Sequence, residues 1–255
     1  MKDKVKFIAC DIDKTIPVDR DKITKDALNT FNSAMNKGVF FALASGRYYK
    51  DMKGLSDNLD CFYICSDGAV CIKNNEILFS YSIPLEIISK ILEKTTNSVL
   101  LYGLNEVWCC SEDESFVSKC KERYSVLRVI NKADEINKEV YKIAIYKADD
   151  FSGVIRYIKS NRLLNRVYNT NEWKEFVNIN TSKGVAVKRL FEMLGIKAQN
   201  ACAFGDSEND IDMLRAVRHS FAVADGIDKL KKVCKRISYD VLKDIERIIN
   251  EEENL

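Results

Sequence analysis

Five short runs of almost purely apolar residues recur along this chain, and each one ends at a polar residue or a glycine. The runs are residues 5–10, 39–44, 61–65, 201–204 and 221–224. A strand needs apolar residues at nearly every position when both of its faces are buried, as happens in a parallel sheet covered by helices. The runs therefore predict the strands of such a sheet.

Amphipathic segments lie between or after these runs, with apolar residues at helical spacing. Residues 27–35 have an apolar stripe, and Gly38 follows as a predicted C-terminal cap. Similar stripes occupy residues 187–194, which Gly195 follows, and residues 241–249. Alternation of strands and helices predicts an α/β fold with a doubly wound, Rossmann-like parallel sheet.

The middle of the chain has a different pattern. Its strand candidates contain interspersed polar residues and lie at 99–102, 106–110, 139–146, 163–168 and 175–179. This pattern is typical of a half-exposed antiparallel sheet with helices on one face. We therefore expect an inserted α+β cap domain at residues 81–182. The core domain would consist of residues 1–80 and 183–255.

Composition limits the partners that this chain is expected to bind. Lys plus Arg number 40 against 38 Asp plus Glu, so no broad basic field favours nucleic acid. The charged N-terminus and the short apolar runs predict neither a signal peptide nor a membrane span. Nine scattered cysteines without a Cys-x-x-Cys pair predict reduced thiols and a cytoplasmic location. No obligate protein partner is expected.

Acidic residues follow two of the apolar runs. Asp11 and Asp13 follow the first run, and Asp206 and Asp210 follow the run at 201–204. Ligands of open α/β sheets bind beyond the carboxyl ends of the strands, so we expect these four carboxylates in one pocket. Each Asp alone could simply cap a turn or a helix. Four together would repel one another without a cation, and Mg²⁺ prefers such oxygen ligands.

Two further segments predict a site for phosphate. Ser45, Gly46 and Arg47 follow the second apolar run, and their hydroxyl and backbone N–H groups can bind a phosphate at a helix start. An ordinary helix cap with a surface arginine explains the same three residues. Lys183 opens a predicted helix, where its charge opposes the helix dipole. Its expected task is to neutralise phosphate charge.

These residues, in this order, resemble the haloacid dehalogenase-like phosphatases, and among them the Cof-type subfamily with a large α+β cap. Residues 11–15 match the motif Asp-x-Asp-x-Thr, and residues 205–210 match Gly-Asp-x-x-Asn-Asp. Residues 43–47 and 183–184 stand where the second and third motifs are expected. Residues 66–69 are similar to an Asn-Gly-Ala loop of the family. The resemblance covers nearly the whole chain.

The resemblance implies roles for individual residues. Asp11 would be the nucleophile that forms an aspartyl-phosphate, and Asp13 would act as general acid and then as general base. Mg²⁺ would be held by Asp11, the backbone carbonyl of Asp13, and Asp206. The remaining predicted roles are phosphate binding by Ser45, Gly46 and Lys183, support of the metal by Asn209 and Asp210, and substrate contacts by Arg47, Asp67, Gly68 and Ala69.

The chain departs from the family pattern at several positions. Lys14 replaces the common Gly, Asp67 replaces the usual Asn, and residues 224–227 replace a Gly-Asn-Ala stretch. The end of the chain also lacks an Asp-Gly-Val segment. The expected substrate is a small phosphorylated metabolite. The sequence does not decide between sugar phosphates, nucleotide-derived phosphates and phosphorylated cofactors.

Two alternative functions remain open at this stage. A phosphomutase or phosphotransferase on the same fold would keep Asp11 but pass the phosphoryl group to an acceptor other than water. A non-catalytic phosphosugar-binding module would need no catalytic carboxylate, and fold alone does not decide function. Trp108, Trp173 and Tyr168 could stack on a substrate ring in the cap, although such aromatics are more often core residues. His219 has no second histidine nearby in sequence and is expected to be structural.

Overall fold

The computed structural model describes residues 4–57 and 59–250, in which strands and helices alternate. The strands are β1 (Phe7–Asp11), β2 (Val18–Asp19), β3 (Lys22–Ile23), β4 (Phe40–Ala44), β5 (Phe62–Cys65), β6 (Val70–Lys73), β7 (Glu76–Ser80), β8 (Val99–Tyr102), β9 (Val107–Cys110), β10 (Leu127–Val129), β11 (Lys142–Tyr146), β12 (Leu164–Asn169), β13 (Trp173–Asn178), β14 (Ala201–Gly205), β15 (His219–Val223) and β16 (Arg236–Ser238). The helices are α1 (Lys25–Asn36), α2 (Tyr49–Leu55), α3 (Leu85–Glu93), α4 (Glu114–Arg123), α5 (Gly153–Asn161), α6 (Lys183–Leu194), α7 (Ile211–Ala216), α8 (Asp228–Lys231) and α9 (Val241–Ile249).

The larger sheet, which we call the core sheet, has the strand order β16-β15-β14-β1-β4-β5-β6-β7. Strands β16 to β5 in this order run parallel, whereas β6 and β7 pair antiparallel. Every residue of β1, β5 and β14 is buried, because helices cover both faces of the sheet. The predicted doubly wound parallel sheet is confirmed, and the antiparallel edge of β6 and β7 extends it.

Two apolar layers enclose the core sheet. On one face, Phe31 of α1 and Ile245 of α9 pack with Phe41 of β4. On the other face, Leu190 of α6 and Met213 of α7 pack in the same way against the small residues of β14. The amphipathic stripes predicted at 27–35, 187–194 and 241–249 are thus confirmed as the faces that α1, α6 and α9 bury.

The smaller sheet, which we call the cap sheet, has the order β10-β9-β8-β11-β13-β12. Its pairs are antiparallel, except that β10 and β9 run parallel. Helices α3 and α5 cover one face. The expectation that all cap helices share one face is wrong, because Phe116 and Cys120 of α4 pack on the opposite face against Leu100. Helix α4 has few buried apolar residues, so its sequence gives little sign of which face it covers.

Two short segments join the sheets. The first lies between β7 and α3, and the second lies between β13 and α6. They are tied to each other by a hydrogen bond of 2.8 Å from Asn178 Nδ2 to the Ser82 carbonyl oxygen. Thr181 Oγ1 donates to the Gly68 carbonyl oxygen at 2.8 Å, which anchors the second segment to the core. The exact division into residues 1–80, 81–182 and 183–255 stays a prediction.

No helix within residues 4–57 and 59–250 combines the length and apolar character that a membrane crossing requires.

Candidate active site

The register of the core sheet brings three strand ends together. Asp11 ends β1 and pairs with Ala44 of β4, and the preceding Cys10 pairs with Phe204 of β14. The polar residues after β4 and β14 therefore lie at the same edge as Asp11. This is the carboxyl edge of the parallel strands, where open α/β sheets bind their ligands.

A buried lysine lies at the centre of this edge. Lys183, the first residue of α6, donates through Nζ to Asp11 Oδ1 at 2.6 Å and to Asp210 Oδ1 at 2.7 Å. Burial works against the charge on Lys183, but Asp11 and Asp210 raise its pKa above the usual lysine range. The ammonium group is therefore held charged, next to the predicted nucleophile.

Three carboxylates surround this lysine and fit a divalent cation. Ligand oxygens of Asp11, Asp206 and Asp210 lie within 4.8 Å of one another. Asp11 Oδ2 is buried and has no hydrogen-bond partner among the residues that the structure describes. Burial and Asp210 raise the pKa of Asp11 to about 8, although Lys183 acts in the opposite direction. One lysine thus neutralises only part of this charge, and a hard cation such as Mg²⁺ suits the remaining oxygens.

Asp210 holds the loop between β14 and α7 rather than facing solvent. Its Oδ2 accepts hydrogen bonds from the backbone N–H groups of Asp206 and Ser207, each at 3.1 Å. Its other oxygen accepts from Lys183. A Cβ on Gly205 would lie 2.6 Å from the Cβ of Asp210, so only glycine fits there. Both oxygens of Asp210 are engaged, which suits a supporting residue better than a direct metal ligand.

Asp13 lies at the mouth of the site, apart from the other three carboxylates. Its carboxylate accepts hydrogen bonds from Arg47 Nε at 3.0 Å and Arg47 Nη2 at 2.7 Å, and Ser45 Oγ lies at 3.5 Å. Burial works against its charge, but the hydrogen bonds and charge of Arg47 hold the pKa of Asp13 below its usual value. Asp13 lines the same cleft as Asp11 and Asp206, as expected, but its carboxylate is bound by Arg47 and is not among the three that lie within 4.8 Å of one another.

Residues 45–47, which we call the phosphate loop, connect β4 to α2. Ser45 is 1% exposed, and its Oγ accepts a hydrogen bond of 3.2 Å from the Arg47 backbone N–H. The Arg47 side chain also pairs with Asp51 at 3.0 Å. The phosphate loop therefore lies beside Asp11 and Asp13, and its arginine is bound by two carboxylates.

The predicted substrate contacts at 67–69 divide into two groups. Asp67 lines the cleft, and its Oδ1 accepts a hydrogen bond of 2.7 Å from Asn209 Nδ2. Gly68 packs against the backbone of Ser182, and Ala69 is fully buried in the core. The expected substrate contacts of Gly68 and Ala69 are therefore corrected to packing contacts, because neither residue faces the cleft.

The cap completes a cleft of about 360 Å³ above these core residues. Its cap side chains are Tyr102, Arg123, Tyr124, Lys142, Tyr168 and Glu175. Only Tyr168 among them is predicted from the sequence as a possible substrate contact. The missed residues lie on the same face of the cap sheet as Ala144, and alternation along β11 and β13 was the one signal that could have located Lys142 and Glu175.

Neither Trp108 nor Trp173 is among the residues that line this cleft. Trp108 is fully buried in the cap interior, so the core role, given as the more common one for such aromatics, is confirmed for it. Trp173 packs against Phe116 and Tyr146. His219 is buried at the start of β15, and its Nε2 lies 3.2 Å from the Gln199 carbonyl oxygen, a position that fits the structural role predicted for it.

Known proteins resemble this chain over most of its length. The family model for haloacid dehalogenase-like hydrolases matches residues 8–244. The 5-amino-6-(5-phospho-D-ribitylamino)uracil phosphatase of Bacillus subtilis is 20% identical, with 92% of this chain and 93% of that protein covered. The HMP-PP phosphatase of Yersinia pseudotuberculosis is 22% identical, with coverages of 89% and 86%. A crystal structure from Eubacterium rectale superposes with a TM-score of 0.84 at 21% identity, with coverages of 95% and 98%.

The chain belongs to the haloacid dehalogenase-like hydrolases. Within this family it is a phosphatase, and the resemblance to the Cof-type subfamily, in which an α+β cap is inserted into the core, is confirmed.

Proposed function

We propose that this protein is a magnesium-dependent phosphohydrolase that cleaves the phosphate monoester of a small phosphorylated metabolite. The observation that carries the proposal is the arrangement around Asp11. One oxygen of Asp11 is held by Lys183, and the other is buried without a partner among the described residues. A carboxylate that is both fixed and unsatisfied at the ligand-binding edge suits attack on a phosphorus atom and contact with a cation.

The proposed reaction has two displacements at phosphorus. An oxygen of Asp11 attacks the phosphorus, the ester oxygen departs, and Asp13 supplies the proton that this oxygen takes up, for which its ion pair with Arg47 must open. Water then attacks the phosphorus of the aspartyl-phosphate, Asp13 accepts its proton, and Asp11 is released with inorganic phosphate. Ser45, the N–H groups of the phosphate loop and Lys183 bind the phosphoryl oxygens in both displacements, so positioning and charge neutralisation supply most of the catalysis.

The proposed magnesium ligands are Asp11, the backbone carbonyl of Asp13, and Asp206, with Asn209 and Asp210 as supporting residues. When bound, the ion would neutralise negative charge on the phosphoryl oxygens. Asp210 supports this arrangement by holding the backbone N–H groups of Asp206 and Ser207.

The cleft supports a small metabolite as substrate. Its volume of about 360 Å³ lies within the range of small-molecule sites, and its polar lining suits a hydroxylated or amino-substituted leaving group. Two relatives are named as phosphatases of particular compounds, a 5-amino-6-(5-phospho-D-ribitylamino)uracil phosphatase and an HMP-PP phosphatase, which supports a small phosphorylated metabolite as substrate. A cytoplasmic location is part of the proposal, and it is supported by nine scattered cysteines, most of them buried, without a Cys-x-x-Cys pair.

The proposal is tested by hydrolysis of p-nitrophenyl phosphate with magnesium. We expect turnover by the wild type and background rates for Asp11→Asn, which keeps size but loses the nucleophile. Asp13→Asn should lose about 10²–10⁴-fold in turnover, the usual contribution of proton transfer. Rapid acid quenching should leave one phosphoryl group on the peptide that contains Asp11. Wild-type turnover in a correctly folded Asp11→Asn protein would exclude Asp11 as the nucleophile.

A further inference from the structure

Lys142 extends from the cap into the core. It lies on β11, its side chain is 6% exposed, and its Nζ donates to the carbonyl oxygen of Gly46 in the phosphate loop. The same Nζ lies 3.8 Å from Asp67 Oδ2 and donates to Glu175 Oε2 of the neighbouring strand at 2.8 Å. One cap side chain therefore contacts two core segments that border the site.

The charge on Lys142 is compensated where it lies. Burial works against this charge, but Glu175 and Asp67 raise its pKa above the usual lysine value. A buried ammonium group is tolerated only when it is paired and hydrogen-bonded, and removal of one partner leaves an uncompensated charge. Asp67 thus supplies, beside Glu175, part of the negative charge that compensates Lys142.

Asp67 connects Lys142, through further hydrogen bonds, to the residues around Asp11. Its Oδ1 accepts a hydrogen bond of 2.7 Å from Asn209 Nδ2, and Asn209 Oδ1 accepts one of 2.8 Å from Ser207 Oγ. Ser207 in turn donates its backbone N–H to Asp210, which binds Lys183. Polar contacts therefore run without interruption from the cap strand β11 to the lysine that holds Asp11.

The identity of residue 67 is decisive for this chain of contacts. An asparagine could still accept the hydrogen bond from Asn209 through its oxygen. Its NH₂ group would then face Lys142, so two donors would meet where an ion pair now exists. A Cβ on Gly46 would lie 3.0 Å from Asp67 Oδ2, which shows how closely the phosphate loop packs on this carboxylate.

We propose that Asp67 and Lys142 form a latch between cap and core that positions the phosphate loop and the Asp206–Asp210 loop for the reaction. This inference rests on the phosphohydrolase activity proposed above. Both residues act through others and are positioning residues. Because the phosphate loop serves every substrate, loss of the latch lowers turnover of a small aryl phosphate as much as turnover of a metabolite.

The test is a double-mutant cycle with Asp67→Asn, Lys142→Met and the double variant. We expect each single variant to lose about 10- to 100-fold in kcat, the usual cost of removing an outer supporting contact, for p-nitrophenyl phosphate and for a phosphorylated metabolite alike. The double variant should be no worse than the worse single variant, because both remove the same contact. Lys142→Arg should recover part of the loss, since it restores the charge.

Lys174 offers a matched control. It is also a buried lysine of the cap sheet, but its Nζ donates to the Thr170 carbonyl oxygen at 2.6 Å, within the cap. Lys174→Met should keep wild-type kcat for both substrates. Hydrogen exchange in the free protein gives a second readout. Amides at 81–83 and 179–182 should exchange faster in Asp67→Asn and Lys142→Met, whereas amides of β8 and β11 should keep their protection.

Several results would overturn the latch. Losses that multiply in the double variant would show that the two residues act separately. A loss confined to the metabolite would make Lys142 a substrate-contact residue. Unchanged exchange at both joining segments would show that the pair does not hold the cap. An inactive wild type would instead refute the proposed function, and the exchange measurement would still decide whether the latch exists.

Discussion

At the scale of single residues, the three buried carboxylates around Lys183 are the reason for proposing a cation at this site. Asp11 and Asp210 share one ammonium group, and Asp206 lies close by. Carboxylates so close together in a buried site repel one another unless positive charge is added or protons are bound. We therefore propose the magnesium site because the single positive charge of Lys183 cannot neutralise three carboxylates.

Asp206→Ala should raise the magnesium concentration needed for half-maximal turnover by more than about tenfold. Removal of a residue that only supports a metal ligand already lowers metal affinity by about that factor, and Asp206 is a proposed direct ligand. The measurement is the rate against magnesium concentration in chelator-treated protein, with the magnesium-induced rise in melting temperature as a second readout. Asp212→Ala removes an exposed aspartate of α7 and should change neither quantity. An unchanged magnesium requirement in Asp206→Ala would place the ion elsewhere.

The positions of the site residues were predictable, but their partners were not. Strand ends in the sequence located Asp11, Ser45 and Asp206 at one edge, because parallel strands place their carboxyl ends together. The pairing of Arg47 with Asp13 depends on side-chain directions in two loops that are distant in sequence. Such pairings have no periodic signal. The same limit explains why Ala69 was expected in the cleft and lies in the core.

Secondary-structure elements with an uninterrupted apolar pattern were predicted to within one or two residues. β1, β4, β5 and β14 are examples, because burial on both faces leaves little freedom in their composition. β6, β7 and α4 were missed. The apolar part of β6 is only three residues long, and Glu76, Ile77 and Val117 of the other two elements face solvent or are only partly buried, so none of these patterns stands out.

The turn between β5 and β6 gives a test at the scale of elements. Gly68 has φ +97°, and a Cβ there would overlap the Ser182 carbonyl oxygen at the second joining segment. Gly68→Ala should lower the free energy of unfolding by more than about 1 kcal/mol, because alanine strains both the backbone and the contact. Urea unfolding measures this change.

Gly54→Ala is the matched control for that measurement. Gly54 lies in α2 and has open space where a Cβ would stand, so alanine should stabilise the protein by about 0.5–1 kcal/mol. A Gly68→Ala protein with wild-type unfolding energy would show that the joining segment moves aside without cost.

In the whole molecule, core and cap line different parts of the cleft. Core residues surround the position proposed for the phosphoryl group, which every substrate shares, whereas cap side chains line the rest of the cleft. Closure of a cap over such a site excludes water and places its side chains against the leaving group. Selectivity among phosphates is therefore expected to depend on cap residues that face the cleft and lie outside the latch.

Tyr124→Ala and Tyr168→Ala should reorder kcat/KM among phosphorylated metabolites and change p-nitrophenyl phosphate hydrolysis much less. Tyr157→Ala, on α5 at the opposite face of the cap sheet, should leave the order of preference intact. The measurement is kcat/KM for several phosphates with each variant. Equal losses on all substrates would mean that the cap is a passive cover, and selectivity would then have to lie in the core loops.

The position of β1 inside the core sheet has a consequence for the order in which this protein folds during synthesis. β1 lies between β4 and β14, so one of its edges stays unpaired until the ribosome has released residues 201–205. The cap sheet needs only strands between residues 99 and 178, and it can form first. Meanwhile an apolar strand edge of the core is open to pairing with other chains. The time taken to synthesise residues 45 to 205 thus sets how long this strand edge of the nascent chain is exposed to aggregation.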